Sequence, residues 1–414
     1  MENIKEKMDH LIQLGIELNQ IHDLDILLER ILYQARRVVH ADAGSIYIRE
    51  NDILHFTYTQ NETLQKQLPP GEKLIYSIFS IPINNESLAG YVAKSGRLLN
   101  IPDVYVLDSR VPYRFSKQFD TKTGYQSKAI CTVPLKNARG DTLGILQVLN
   151  PTSGAKVFSS FDEDILLHFA SIASVALERA QLMRNNYLRM ISMAEMRDPN
   201  ETALHINRVA GYAVELYEHY AVKHGITKYE IERNRDVLRI AAMLHDVGKI
   251  GISDLILNKP GYFSSDEFDI MKQHTVLGAR LFQNFHSDYD EATFEVTLNH
   301  HERWDGKGYP GIVDIQTGKP LPGYELPNGM AKGKSHEEIP LFARVVSIAD
   351  VFDALSTSRC YKTAWEEPQV LETIQKGAGT QFDPELIDCF FSCLNMIRCV
   401  KKRYANEGLT NESI

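Results

Sequence analysis

The sequence has few cysteines, no long hydrophobic run and no excess of positive charge. Its 5 cysteines include no CxxC pair, so neither a disulfide framework nor a thiolate zinc site is expected. No apolar run approaches the roughly 20 residues that span a bilayer, and the amino terminus lacks the apolar core of a signal peptide. The formal net charge of −9 argues against DNA binding, which needs a basic face. We therefore expect a cytoplasmic protein that binds neither membranes nor DNA.

The length and composition are typical of a globular protein with more than one domain. A chain of 414 residues exceeds one ordinary core, and a prior of about 150 residues per domain suggests two or three units. The hydrophobic content of 43% and the charged content of 24% lie near globular averages, so neither a disordered nor a fibrous chain is indicated.

Hydrophobic periodicity separates a mixed first half from a helical second half. Residues 5–39 carry apolar positions at helical spacing with a break near His22, which predicts two helices. From Gly44 to Asn150 the apolar runs shorten to strand-like segments, namely "SIYIRE", "ILHFTYTQ", "AICTVPLK" and "TLGILQVLN". A long helix follows, and beyond residue 200 the spacing stays helical to the end.

This pattern predicts a multidomain architecture. We expect an α/β domain with an antiparallel sheet flanked by helices at 1–161, a connecting helix at 162–197 and an all-α domain at 198–414. Residues 312–338 hold several Gly and Pro without periodicity, which indicates a long surface loop. Loops of that length are often lids or binding elements.

The second half contains histidines and carboxylates suited to metal binding. Iron and manganese accept imidazole and carboxylate ligands, which a helical domain supplies as scattered residues. Each such residue alone is more often a hydrogen-bonded or solvated side chain than a ligand. Their repeated position at the ends of apolar helical segments favours a polynuclear metal site. The candidate ligands are Glu201, His205, His245, Asp246, His274, His300, His301 and Asp350.

Three segments of the second half resemble a known family. "HDVGK" (245–249), "HHERWDGKGYP" (300–310) and "ADVFDALSTSRCYK" (349–362) are similar to the signature segments of the HD-GYP family, the phosphodiesterases of cyclic dinucleotides. The resemblance covers about residues 190–400. It implies that the eight candidate ligands bind metal, with Asp246 bridging two ions. Glu201 and His205 imply a third ion. The family resemblance implies iron, with manganese as the alternative.

The same resemblance implies how the substrate is held. Lys249 matches a residue that contacts the scissile phosphate, so Asp246 and Lys249 are the expected catalytic residues. Tyr309 belongs to the GYP loop that forms a wall of the site, and we expect it to contact the substrate. Arg359 and Lys362 match cations that grip the substrate phosphates. For Lys249, Arg359 and Lys362 the alternative is a solvated helix face.

The first half resembles a GAF domain. The resemblance rests on "LDILLERILYQARRVVHADAGSIYI", "GRLLNIPDVY" and "VFSSFDEDILLHFASIASVALERAQ" and covers about residues 5–183. GAF domains bind small molecules or dimerise, so the fold names no ligand. We expect an unknown small-molecule ligand and a homodimer whose long helix carries a signal to the catalytic domain. The alternative for that helix is a rigid spacer.

The expected activity is hydrolysis of cyclic di-GMP to linear pGpG, to GMP, or to both. A close alternative is a phosphodiesterase for 3',3'-cyclic GMP-AMP, because guanine and adenine differ only at the base edge while the metal chemistry is the same. A rival of another class is a receptor that binds the cyclic dinucleotide without cutting it. Hydrolysis of a mononucleotide is a further option, which the double histidine and the GYP loop disfavour.

Overall fold

The computed structural model describes residues 12–68, 79–154, 156–195, 203–357 and 364–411. The chain divides into two compact units, Met1–Arg184 and Asn185–Ile414. Each has its own hydrophobic core.

The first unit is built on a six-stranded sheet of order β3-β2-β1-β6-β5-β4. All of its strand pairs are antiparallel. The strands are β1 (Ala41–Glu50), β2 (Ile53–Asn61), β3 (Ser80–Pro82), β4 (Leu99–Ile101), β5 (Ile130–Lys136) and β6 (Thr142–Pro151). The helices of this half are α1 (12–20), α2 (Leu24–Val38), α3 (Glu62–Gln65), α4 (Leu88–Ser95), α5 (Gln118–Thr123) and α6 (Ser160–Glu195). The four strand segments predicted from the sequence are confirmed.

One face of the sheet packs against helix α2 through apolar side chains of β1. Ile46 and Ile48 of β1 point to the same face and lie in one cluster with Leu28 and Leu32 of α2. Helix α2 begins where the side chain of Asp23 accepts a hydrogen bond from the backbone N–H of Ile26. The mixed α/β class predicted for this half is therefore confirmed.

Helix α6 is long and apolar. Among the described residues, one segment, Ser160–Met193, has the length and composition to cross a membrane, with a mean hydropathy of 1.2 in its most apolar window. Half of that window is buried inside the protein, and Phe169, Ala173 and Leu177 lie in the core beneath the sheet. A core helix of a soluble protein passes the same test, so this segment is weak evidence for a membrane span.

The second unit is helical, as predicted. Its helices are α7 (Ala203–Lys223), α8 (Lys228–Met243), α9 (Asp254–Leu257), α10 (Ser265–Leu281), α11 (Asp288–Asn299), α12 (Leu341–Ser356), α13 (Glu367–Lys376), α14 (Pro384–Ser392) and α15 (Leu394–Asn411). A single core cluster joins Val209 of α7, Leu238 of α8, Val345 of α12 and Leu386 of α14. A 3₁₀ helix, Val247–Gly251, follows α8. These elements bring the ends of α8, α11 and the middle of α10 and α12 together.

The segment 312–338 is a loop, as expected from its composition. It forms two isolated β-bridges, Val313 with Pro320 and Glu325 with Ala331, and one 3₁₀ turn, His336–Glu338. Val313 packs on a small cluster supplied by α10 and α11. Its role as a lid stays a prediction.

Candidate metal centre

Three histidines of the helical unit are oriented by the same kind of hydrogen bond. The Nδ1 atom of each lies against a backbone carbonyl one turn earlier: His245 against Ala242 at 2.8 Å, His274 against Met271 at 2.7 Å, and His300 against Thr297 at 3.0 Å. Because a carbonyl can only accept, Nδ1 carries the proton and the lone pair is on Nε2. Each ring therefore presents Nε2 as a potential metal ligand.

His205 is oriented by a carboxylate instead. Its Nδ1 lies 2.8 Å from Oδ2 of Asp353, and Arg208 donates to both oxygens of the same carboxylate at 2.7 and 2.8 Å. Burial opposes the charge of Asp353, but the hydrogen bonds from Arg208 and His205 outweigh it and lower the pKa of Asp353 to about 2. An ionised carboxylate behind a ligating histidine is a common way of fixing the ring.

The sequence reasoning missed Asp353 and Arg208. A signal was present, since Asp350 and Asp353 are three residues apart on one helix, as are His205 and Arg208. Residues at that spacing lie on one helix face. The spacing therefore indicated that Asp353 lies on the helix face of Asp350 and that Arg208 lies on the helix face of His205.

Asp246 lies between the histidines. Its Oδ1 is 3.1 Å from Nε2 of His274 and 3.5 Å from Nε2 of His300. Its Oδ2 is 2.8 Å from Nζ of Lys249 and 3.3 Å from Nε2 of His245. Burial raises the pKa of Asp246, but Lys249 and the neighbouring histidines hold it well below its usual range. The two oxygens thus face two different groups of side chains.

The structure brings seven of the eight predicted ligands together in two groups that could hold metal ions. In each group the ligand atoms lie within 4.8 Å of one another. In the second group, Oδ1 of Asp350 is 3.7 Å from Nε2 of His205 and 4.0 Å from Nε2 of His245. Glu201 lies outside the described residues. The groups are Asp246, His274, His300 and His301, and His205, His245 and Asp350.

The donor set fits a metal ion. Within the described parts of the chain, Nε2 of His274, Nε2 of His300 and Oδ1 of Asp246 are buried without a hydrogen bond, an arrangement that is costly unless a ligand satisfies it. Burial lowers the pKa of His300 and holds the pKa of His301 well below its usual range. Both rings are therefore in the neutral form that coordinates metal. Imidazole and carboxylate donors suit iron, manganese or zinc.

The GYP loop closes against this group. The ring of Tyr309 stacks on His301, with centroids 4.7 Å apart and planes at 29°, and the Tyr309–Pro310 peptide is cis. The loop is tied down by Glu302, which accepts hydrogen bonds from the backbone N–H groups of Gly311 at 2.6 Å and Lys334 at 3.2 Å. Burial raises the pKa of Glu302 to about 7. The sequence reasoning missed Glu302 because nothing in "HHERWDGKGYP" separates it from an exposed glutamate.

The structure describes one of the three basic residues that were predicted to contact the substrate phosphates. The ammonium of Lys249 lies 2.8 Å from Oδ2 of Asp246. Arg359 and Lys362 lie outside the described residues. The substrate-binding assignments therefore stay predictions.

Models of known protein families match both halves of the chain. The model of the GAF domain matches residues 23–177. The model of the HD domain matches residues 202–355, and a second HD-domain model matches residues 327–386. The chain carries a GAF domain and an HD domain. Both predicted resemblances are thereby confirmed, and the HD match includes all seven clustered side chains.

The chain is similar to several named phosphodiesterases. A cyclic di-GMP phosphodiesterase of Vibrio cholerae is 31% identical over 264 residues, which are 61% of this chain and 48% of that protein. A cyclic di-GMP phosphodiesterase of Thermotoga maritima is 33% identical over 53% of this chain and 51% of that protein. A 3'3'-cGAMP-specific phosphodiesterase of Vibrio cholerae is 34% identical over 45% of this chain and 30% of that protein. The chain thus spans about half or less of the length of these relatives.

Proposed function

We propose that the HD domain hydrolyses the phosphodiester bonds of cyclic di-GMP, giving linear pGpG, GMP or both, with a polynuclear iron site. The single observation that supports this best is the convergence of oriented Nε2 atoms and carboxylate oxygens on the two sides of Asp246. The relatives named as cyclic di-GMP phosphodiesterases add support, because they are 31% and 33% identical to this chain over 264 and 219 residues.

In this proposal each group holds one ion and Asp246 contributes to both. Glu201 is proposed to hold a third ion together with His205, and manganese is the alternative metal. When bound, such ions act as Lewis acids that activate water and polarise a phosphoryl oxygen. The protein's part is to fix the ligands, through the carbonyls behind His245 and His274 and through Asp353 behind His205.

The remaining residues would position the substrate. The ammonium of Lys249, 2.8 Å from Asp246, would lie beside the scissile phosphate and neutralise the negative charge that builds up in the transition state. Tyr309 would form one wall of the site, and Arg359 and Lys362 would grip the phosphates. These roles extend the family resemblance to residues of this chain.

A test compares the full chain with the Asp246→Ala variant. Protein purified without oxygen and loaded with iron or manganese is incubated with cyclic di-GMP, and products are separated by chromatography. We expect Asp246→Ala to lose activity by more than about a hundredfold, since it removes a ligand shared by both groups. Asp388→Ala, an exposed carboxylate of α14, is the control and should keep full activity. Near-normal hydrolysis by Asp246→Ala would refute the proposal.

A second candidate is hydrolysis of 3',3'-cyclic GMP-AMP, which the similarity to the cGAMP-specific relative favours. The same assay run with both substrates side by side decides between them by the ratio of kcat/KM values. A protein that binds either dinucleotide but cuts neither would be a receptor.

We also propose that the chain is a cytoplasmic homodimer whose GAF domain, with an unknown small-molecule ligand, regulates the HD domain. Val175 and Leu182 of α6 support dimerisation, because they are 62% and 61% exposed and seven residues apart, as in a helix-pairing stripe. Val175→Glu should convert the dimer to a monomer in sedimentation analysis. A wild-type chain that sediments as a monomer at all concentrations would contradict this proposal.

A further inference from the structure

A chain of ring contacts leads from the metal centre to the protein surface. Tyr309 stacks on His301, and its ring centroid is 6.4 Å from that of His274 and 6.0 Å from that of Phe268. Phe268 meets Tyr309 edge to face and is 42% exposed. The exposed ring of Phe268 therefore contacts Tyr309, which forms a wall of the candidate active site.

Two charged side chains of the same helix lie near Phe268. Lys272 is four residues after Phe268 and three after Asp269 on α10, so its side chain can reach both of theirs. Nζ of Lys272 lies 2.7 Å from Oδ1 of Asp269, 4.7 Å from the centroid of Phe268 and 5.9 Å from that of Tyr309. The ammonium is thus held in place by two rings and a carboxylate, although its two other protons can still donate.

This trio matches the chemistry of guanine. Aromatic side chains stack with any base. The Watson–Crick edge of guanine offers the acceptor O6 next to the donors N1–H and N2–H, and lysine binds O6 and N7 in many complexes. A lysine beside a carboxylate therefore presents a donor and an acceptor in the order that guanine needs.

Adenine reverses both partners. Its N6 amino group is a donor that would face the ammonium of Lys272, and its N1 is an acceptor that would face the carboxylate of Asp269. The ammonium would face a donor and the carboxylate would face an acceptor, and such mismatches are what give polar pockets their selectivity.

We propose that Phe268, Asp269 and Lys272 form a guanine subsite at the edge of the active site, which selects a guanine-containing dinucleotide. This inference rests on the proposed function for the substrate class and adds which side chains read the base. Phe268 supplies a stacking surface, Lys272 donates to O6, and Asp269 accepts from N1–H. The subsite is occupied by the base of the nucleotide whose phosphate lies nearest His301 and Tyr309.

The test uses Lys272→Met, Asp269→Asn and Phe268→Ala in the full chain. Hydrolysis by the iron-loaded protein and equilibrium binding to the metal-free protein are measured with cyclic di-GMP and cyclic di-AMP. Lys272→Met and Asp269→Asn should weaken binding of cyclic di-GMP by about tenfold or more and should not weaken binding of cyclic di-AMP. Phe268→Ala should weaken both ligands. Lys376→Met, which breaks a similar ion pair with Glu372 on α13, is the matched control and should change neither.

The outcomes separate this inference from the proposed function. If the wild type cuts cyclic di-GMP while Lys272→Met and Asp269→Asn keep the wild-type guanine preference, the subsite is wrong and the function stands. If the wild type cuts neither dinucleotide but binds cyclic di-GMP selectively, and both variants lose that selectivity, the subsite stands and the function fails. Equal wild-type affinity for both dinucleotides would overturn the subsite.

Discussion

At the scale of single residues, the candidate centre depends on what lies behind each ligand. His205 differs from the other oriented histidines because its Nδ1 faces a charged group, the carboxylate of Asp353. That carboxylate is itself held by two hydrogen bonds from Arg208. A charged partner makes the imidazole a stronger metal ligand than a carbonyl partner does.

We predict that Asp353→Asn weakens metal binding about 10- to 100-fold, the usual effect of removing such a partner. Metal titration of the full chain, followed by calorimetry, measures the affinity. Asp383→Asn is the matched control, because Asp383 is also buried and also paired with an arginine, Arg344, and is not among the seven grouped ligands. Equal metal affinity of Asp353→Asn and wild type would show that Asp353 is merely structural.

Residue type and spacing were enough to predict seven side chains that gather, but not what orients them. His245, His274 and His300 could be named from the sequence because histidines and carboxylates recur beside apolar helical residues in this half. The carbonyl groups that bond to their Nδ1 atoms belong to the preceding helix turn. Every residue has such a carbonyl, so no residue type in the sequence identifies them. Glu302 was not predictable, since its partners Gly311 and Lys334 are brought to it only by the folded loop.

At the scale of elements, the 3₁₀ helix that follows Asp246 must lie almost in contact with α10. A Cβ atom on Gly248 would come within 1.9 Å of the backbone oxygen of His274 and 2.4 Å of the backbone nitrogen of Gly278. Real Cβ atoms never approach backbone atoms so closely. Two glycines therefore let Oδ1 of Asp246 come within 3.1 Å of Nε2 of His274.

We predict that Gly248→Ala pushes these elements apart, which destabilises the HD domain by about 1–3 kcal/mol and lowers its metal content. Gly251→Ala in the same 3₁₀ helix is the control, because its new Cβ would meet only the flexible end of the Leu277 side chain. Thermal unfolding and elemental analysis of both variants provide the readouts. A Gly248→Ala chain with wild-type stability and metal content would contradict this packing argument.

The GYP loop makes a second test at this scale. Glu302→Gln has only one acceptor oxygen for two backbone N–H groups, so one buried donor loses its partner, at a cost of about 1–3 kcal/mol. Hydrogen exchange at the amides of Gly311 and Lys334 should become faster. Glu338→Gln in the same loop should not affect these amides, because the side chain of exposed Glu338 bonds to Ser335 instead. Unchanged protection in Glu302→Gln would mean that other contacts hold the loop.

At the scale of the whole molecule, the chain separates a mixed α/β unit from a helical one. Periodicity predicted both classes, because short strand-like runs separated by turns differ from sustained helical spacing. It could not assign the last turns of α6, since Tyr187 and Ile191 continue the helical spacing of residues before them yet pack in the core of the helical unit. A continuous helix carries no local signal of which core its side chains join.

We predict that removal of metal destabilises only the helical unit, because every grouped ligand lies within Asn185–Ile414. Calorimetry of the full chain should resolve a transition that falls in temperature after chelation and another that does not, since an ion stabilises the unit that binds it. Equal shifts of both transitions would place a metal elsewhere.

The most direct measurement of the central claim is the number of metal ions per chain, by elemental analysis of iron-loaded protein purified without oxygen. The account predicts at least two ions per wild-type chain, one for each group of side chains, and a loss of metal in Asp246→Ala. A wild-type chain that holds less than one ion, or an Asp246→Ala chain that holds as much as the wild type, would contradict it.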